Sequence, residues 1–250
     1  MAGHSHWAGI KHKKAANDAK RGRIWSKLAR NIIVSAKAGG GDPDQNLSLR
    51  YAIDKAKEGN MPKDTIDKAI KKGTGDLDGV SYEEVLYEGY GNDGVAIMCE
   101  VLTDNRNRTA SELRKIFEKK GGSLGTTGCV AWMFSKKGLF TVDASGYDED
   151  AVMEIAIEAG ADDVVRNENS FEITCAVEDF QSTKEALAAK EINTQVAEIS
   201  QIPSNLVTLN ETGSKKILDL MDMLEDQDDV QNVSANFNIP DDIMKKLESV

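Results

Sequence analysis

The sequence predicts an α+β fold divided into several domains, and three observations carry that prediction. From about residue 15 to residue 73 the apolar residues recur at helical spacing. At residues 73–81 that period gives way to the shorter one of strands. Over residues 139–199 strand and helix patterns then follow in the order β-α-β-β-α-β, the ferredoxin-like arrangement. The flanking segments supply pieces of a second such unit, so residues 135–205 read as an insertion into residues 80–134 plus 206–250. A helical domain over residues 1–75 precedes them both.

Residues 1–14 lack periodicity and read as a mobile basic arm. Ile24, Leu28, Ile32 and Ala36 then keep one buried stripe on a first helix, stopped by Gly39, Gly40 and Gly41. Asp42-Pro43-Asp44 is expected to open a second helix with the stripe Leu49, Ala52, Ile53 and Ala56. A third has Pro62 at its start, buries Ile66, Ala69 and Ile70, and ends at Gly73. Beyond the break, the apolar run Val95 to Leu102, interrupted only by Glu100, predicts a buried strand. A helix over residues 109–119 follows, with Thr109 and Glu112 spaced as a capping box, and residues 129–134 read as strand. The inserted unit is assigned strands at 139–142, 163–166, 171–177 and 194–199, with helices at 148–159 and 182–190. Residues 206–209, 214–224 and 230–237 supply the closing strand, helix and strand.

Charge is distributed unevenly along this plan. The 250 residues carry a net −11, which taken as an average argues against a nucleic-acid partner. Residues 1–75, however, hold 16 Lys and Arg against 7 Asp and Glu, a head of +9 on a body of −20. Such asymmetry is a cue for a basic region that binds nucleic acid. Within residues 1–37, Lys11, Lys13, Lys14, Lys20, Arg21, Arg23, Lys27, Arg30 and Lys37 face one acid, Asp18. Trp7, Trp25, His4, His6 and His12 lie among them, and stacking rings interleaved with cations suit RNA or single strands.

Other motifs carry less chemistry. Gly89-Tyr-Gly91-Asn-Asp-Gly94 matches the dinucleotide fingerprint in letters, but a strand follows it where a helix is needed, so it reads as a turn. All three histidines lie in the first twelve residues, which leaves no His-based catalytic site in a folded core, and no metal or other cofactor is expected. The carboxylate clusters 148–150 and 226–229 read as solvated helix ends and turns. Asp104-Asn-Arg106-Asn-Arg108-Thr109, between strand and helix, has two readings. Arg106 and Arg108 with the helix N-terminus hold a phosphate, or they pair with nearby acids while Asp104, Asn105 and Thr109 shape and cap the turn. Three scattered cysteines suggest a reducing, cytoplasmic setting. No secretory signal or membrane span is expected, the latter needing roughly 18 or more apolar residues in a row.

Together, Met1-Ala-Gly-His-Ser5, Trp7, Lys14-Ala-Ala, Asp18-Ala-Lys-Arg-Gly22, Gly39-Gly-Gly-Asp-Pro43 and Met61-Pro62 resemble the YebC/PmpR family. So do Tyr87-Glu-Gly-Tyr-Gly91, residues 102–109, Gly121-Gly-Ser-Leu-Gly125 and Asp228-Asp-Val-Gln-Asn-Val233, which extend the likeness over nearly the whole chain. His6 stands where a lysine is common, and Asn92-Asp93 where Pro-Gly is common. The resemblance implies a cytoplasmic, non-enzymatic regulator of gene expression with a helical N-terminal domain and two α+β domains. Bacterial relatives are described as DNA-binding transcriptional regulators, and a mitochondrial relative acts as a translational activator. Expected partners are therefore DNA, or RNA with the ribosome, and neither a membrane nor a small-molecule substrate. The expected phosphate contacts are Lys11, Lys13, Lys14, Lys20, Arg21, Arg23, Lys27 and Arg30, with Arg106 and Arg108 as a secondary contact.

Overall fold

A computed structural model describes residues 18–167 and 169–248. The basic arm expected over residues 1–14 lies outside them. Three helices lead: α1 (Asp18–Gly39), α2 (Leu47–Glu58) and α3 (Lys63–Thr74). Ile32 and Ala36 of α1, Leu49, Ile53 and Ala56 of α2, and Ile66 and Ala69 of α3 close a common core. Trp25 joins its edge, donating its indole N–H to the Gly59 carbonyl at 2.9 Å.

The second helix begins later than Asp42-Pro43-Asp44 suggested. There Asp42 Oδ1 accepts the Asp44 N–H at 3.0 Å, forming a turn, and Asn46 is the true cap. Its Oδ1 accepts from Leu49 N while its Nδ2 donates to the Ser35 and Gly40 carbonyls, so one buried amide ties the end of α1 to the start of α2. Gly73 does not end α3; Gly75, at φ +88°, does. Gly73 marks a close crossing, because a Cβ there would sit 2.5 Å from the Ile33 carbonyl oxygen of α1 and 2.7 Å from Ala36 Cβ. In an open helix Gly→Ala stabilises by about 1 kcal/mol. Here Gly73→Ala is expected to destabilise by about 1–3 kcal/mol through overpacking, read as a lower urea midpoint.

The first sheet combines β1 (Glu83–Tyr90), β2 (Ala96–Thr103), β3 (Ser123–Leu124) and β9 (Val230–Ala235) in the order β3-β1-β2-β9, every pair antiparallel. Helices α4 (Arg106–Lys119) and α7 (Glu211–Glu225) contribute to its core, where Ile97, Cys99 and Val101 meet Leu113, Phe117, Ile217 and Leu220. Ala96 and Met98, pointing the other way, pack on Val130, Met133 and Phe134. Burial on both faces explains why β2 is apolar at nearly every position, Glu100 being the exception before the closing Thr103.

The α+β architecture with three leading helices stands, but of this sheet's four strands only β2 and β9 are the predicted ones. The strand at 83–90 has no signature in the sequence, because Glu83-Glu-Val-Leu-Tyr-Glu-Gly-Tyr90 neither alternates nor runs apolar, although it pairs with β2 along its whole length. Residues 129–133 are not a strand: a turn and a short 3-10 helix at Ala131–Met133 lead directly into β4 (Phe134–Asp143). The segment near 206–209 provides only β8 (Val207–Thr208), which pairs in parallel with β10 (Phe237–Asn238) outside the main sheet. Helix α8 (Asp241–Glu248) follows.

The middle unit matches its predicted order. It runs β4, α5 (Glu149–Glu158), β5 (Ala161–Arg166), β6 (Ser170–Cys175), α6 (Phe180–Ala189) and β7 (Thr194–Pro203), giving an antiparallel sheet β5-β6-β4-β7. Phe140, Val142, Phe171, Ile173 and Leu187 fill its core, and Phe140 stacks on Phe180 at 4.9 Å between centroids. Pairs Lys55–Glu198 and Lys184–Glu58 connect this unit to α2 beside a cleft of about 230 Å³.

Candidate nucleic-acid interface

Helical spacing places Arg23, Lys27, Arg30 and Asn31 on one face of α1, apart from the stripe that buries Ile32 and Ala36. That polar face lies along the turn leaving α7. Arg23 faces Asp226 at 3.6 Å, with both side chains more than half exposed. Lys27 donates to the Glu225 carbonyl, placing an ammonium at the negative end of α7. Arg30 donates to the Asp228 carbonyl, pairs with Asp229 Oδ1 at 3.1 Å and lies 5.4 Å over the Tyr82 ring. Asn31 Nδ2 donates to Gln231 Oε1 at 3.0 Å.

Asp229 is the centre of this contact and is only 2% exposed. Besides Arg30, its carboxylate accepts from Arg108 Nη2 at 2.8 Å, Thr109 Oγ1 at 2.7 Å and Thr103 Oγ1 at 3.2 Å. Burial alone pushes the Asp229 carboxyl up. Hydrogen bonds from Arg108 and Thr109, with the charges of Arg108 and Arg30, outweigh burial and hold it below the usual carboxylate range. The same two carboxylates, Asp229 and Asp104, keep Arg108 firmly protonated.

At the loop before α4, Asn105 caps the helix by accepting the Arg108 N–H, and Thr109, one turn in, points to Asp229. The capping box expected of Thr109 and Glu112 is thus replaced by an Asn cap four residues earlier, at the start of the helix. Arg108 pairs with Asp104 and Asp229, and Arg106 with Glu83 at 2.7 Å between exposed side chains. The acid-pairing reading of the 104–109 motif is therefore realised.

Lys11, Lys13 and Lys14 lie outside the described residues, as do the side chains of Lys20 and Arg21 in the first turn of α1. The other five expected cations each meet an oxygen of the chain itself. Lys27 meets the backbone carbonyl of Glu225, and the four arginines fall into two groups. Arg30 and Arg108 converge on a buried carboxylate, whereas Arg23 and Arg106 form exposed pairs of the kind worth roughly 0–1 kcal/mol. The cluster 226–229, read as solvated, contains the buried anchor; the signal that could have exposed it was the opposite sign of the head.

A second carboxylate organises another loop. Glu88, at 2% exposure, accepts N–H bonds from Gly128 at 2.6 Å and from Val130 and Ala131 at 2.7 Å each. Burial pushes its carboxyl up, but these three donors bring it below its ordinary value. No cluster of three or more His, Cys, Asp or Glu suited to a metal occurs among the described residues, and no described helix is long and apolar enough to cross a membrane.

These features define a multi-unit α+β protein whose cationic leading helix is fastened to its own acidic turn. The chain belongs to the TACO1/YebC family: residues 5–76 match the family's N-terminal domain and residues 82–237 its second and third domains. It is 55% identical over 248 residues to a "Probable transcriptional regulatory protein" of Natranaerobius thermophilus, covering 98% of this chain and 99% of that one. A relative of the same description from Maridesulfovibrio salexigens is 52% identical, covering 99% and 100%. The crystal structure of a conserved hypothetical protein from Aquifex aeolicus is similar with a TM-score of 0.83 at 47% identity, covering 94% of this chain and 98% of that one.

Proposed function

We propose that the chain is a non-enzymatic regulator of gene expression that acts in the cytoplasm by binding nucleic acid through its basic head. The observation that carries this reading is the segregation of charge, +9 in residues 1–75 against −20 in the rest. Phosphates are bound by Lys11, Lys13, Lys14, Lys20, Arg21 and Arg23, with Arg106 added from the first sheet. Arg23 and Arg106 exchange exposed carboxylates for phosphates at little cost. Lys27, Arg30 and Arg108 orient the head by holding α1 and α4 to the acidic turn. The functional units are residues 1–75, 80–134 with 206–250, and the insert 135–205.

The description of the relatives supports DNA and transcription as the target. A second reading, RNA and translation on the ribosome, is favoured by the placement of α1. A helix that reads a major groove needs a free polar face, whereas the face bearing Arg23, Lys27 and Arg30 lies against residues 225–231. A head that grips through its leading residues suits irregular RNA.

Converting Lys13, Lys14, Arg21 and Arg23 together to Ala is expected to weaken binding and reduce the slope of log affinity against log salt by about three, at roughly 0.7–0.9 for each phosphate lost. An unchanged slope overturns the assignment. Cosedimentation with ribosomes that survives DNase supports translation; a discrete promoter footprint supports transcription.

A further inference from the structure

Trp132 is 75% exposed, although the residues around it are buried. Val130, Met133 and Phe134 sink into the cluster beneath β2, and the 3-10 turn at Ala131–Met133 forces the intervening side chain outward. The loop is held from below by Glu88, through its bonds to Gly128, Val130 and Ala131. It is held from the side by Tyr90, whose hydroxyl donates to the Cys129 carbonyl at 3.1 Å. The same carbonyl accepts the Trp132 indole N–H at 3.2 Å. The polar end of the indole is thereby used within the loop, and what the side chain offers outward is ring surface.

The stretch of sequence that carries this loop is unlike the rest of the acidic body. From Lys119 to Val142 the chain has no Asp or Glu and carries Lys119, Lys120, Lys136 and Lys137, of which Lys120 pairs with Asp219 at 3.1 Å and Lys137 with Asp162 at 3.0 Å. A fixed aromatic face on a lysine-bearing segment is the combination that takes an unstacked base beside its phosphate, since solvent-reached pairs such as Lys137–Asp162 can exchange a carboxylate for a phosphate at little cost. A duplex offers no such base, because its ring faces are already stacked.

We propose that Trp132 is a stacking platform for a base of single-stranded nucleic acid. This deepens the nucleic-acid reading above and rests on it: the head supplies phosphate contacts, and Trp132 supplies the preference for exposed bases.

The test is a titration of the full chain with a short single-stranded oligouridylate, an abasic strand of equal length and a duplex of equal length. Wild type is expected to prefer the base-bearing strand to the abasic strand and the duplex, with quenching of tryptophan emission on binding. Trp132→Ala is expected to lose about tenfold in affinity for the base-bearing strand and to bind the abasic strand as wild type does, with the salt slope unchanged. Trp132→Phe should recover most of the loss. The side chain's exposure means that neither substitution should move the urea midpoint. Equal affinity of wild type and Trp132→Ala for the base-bearing strand, or a wild-type preference for the duplex, overturns the platform and leaves the basic head standing. Failure of wild type to bind any strand overturns both.

Discussion

Asp229→Asn is expected to cost about 3–5 kcal/mol, the range found when one partner of a buried pair is removed. The carboxylate meets Arg30 through one oxygen and Arg108, Thr109 and Thr103 through the other. An amide keeps the shape, but its NH₂ must face the guanidinium of either Arg30 or Arg108, so a donor meets a donor and both arginines lose their counter-charge. The measurement is hydrogen exchange at Leu102, whose N–H bonds the Asp229 carbonyl, together with the urea midpoint. A loss below about 1 kcal/mol would mean that the buried charge is dispensable. The pH dependence follows from the depressed carboxyl. Its bonds contribute fully above the unfolded value of about 3.9 and are lost as pH falls through the lower folded value. Wild type should therefore lose stability below about pH 4, and the variant should lose less over the same interval.

Glu88→Gln is expected to destabilise by about 3 kcal/mol, since bonds to a charged acceptor are worth about 1.5–3 kcal/mol each and at least one of three must fail. Glu88 Oε1 serves Gly128, and Oε2 serves Val130 and Ala131. A glutamine has one acceptor oxygen, so its NH₂ is driven against one or two backbone donors in a buried position. Exchange at the amides of Val130 and Ala131 should accelerate before the rest of the sheet opens. The loosened loop should also lose preference for base-bearing over abasic strands, because a stacking platform depends on being held still. Full protection of both amides in Glu88→Gln would show that the carboxylate does not organise the loop.

Much of the fold was legible because it is written in local periods. The stripes ending at Ala36, Ala56 and Ala69 bury one helix face each, and the six elements of the middle unit follow the predicted strand and helix order. The misreadings have a common origin. The strand at 83–90 is stabilised by neighbours on both edges and hides a glutamate that points at a distant loop, so its letters resemble a polar connection. The apolar letters at 129–134 look like a strand, but they bury around a turn whose shape depends on that same glutamate. Asn46 and Asn105 cap helices as such residues commonly do, yet which of several polar residues takes the cap depends on where the chain can turn.

Reading along the chain suffices for the sign of each region and for which face of a helix is apolar, because charge and hydrophobic period are properties of neighbouring residues. The meeting of charges is different. Arg30 and the Asp228 carbonyl stand 198 residues apart, and no local pattern distinguishes an arginine bound for a phosphate from one bound for a carboxylate. Folding decides it, by carrying the acidic turn after α7 to the cationic face of α1 and burying Asp229 where only paired charge is tolerated.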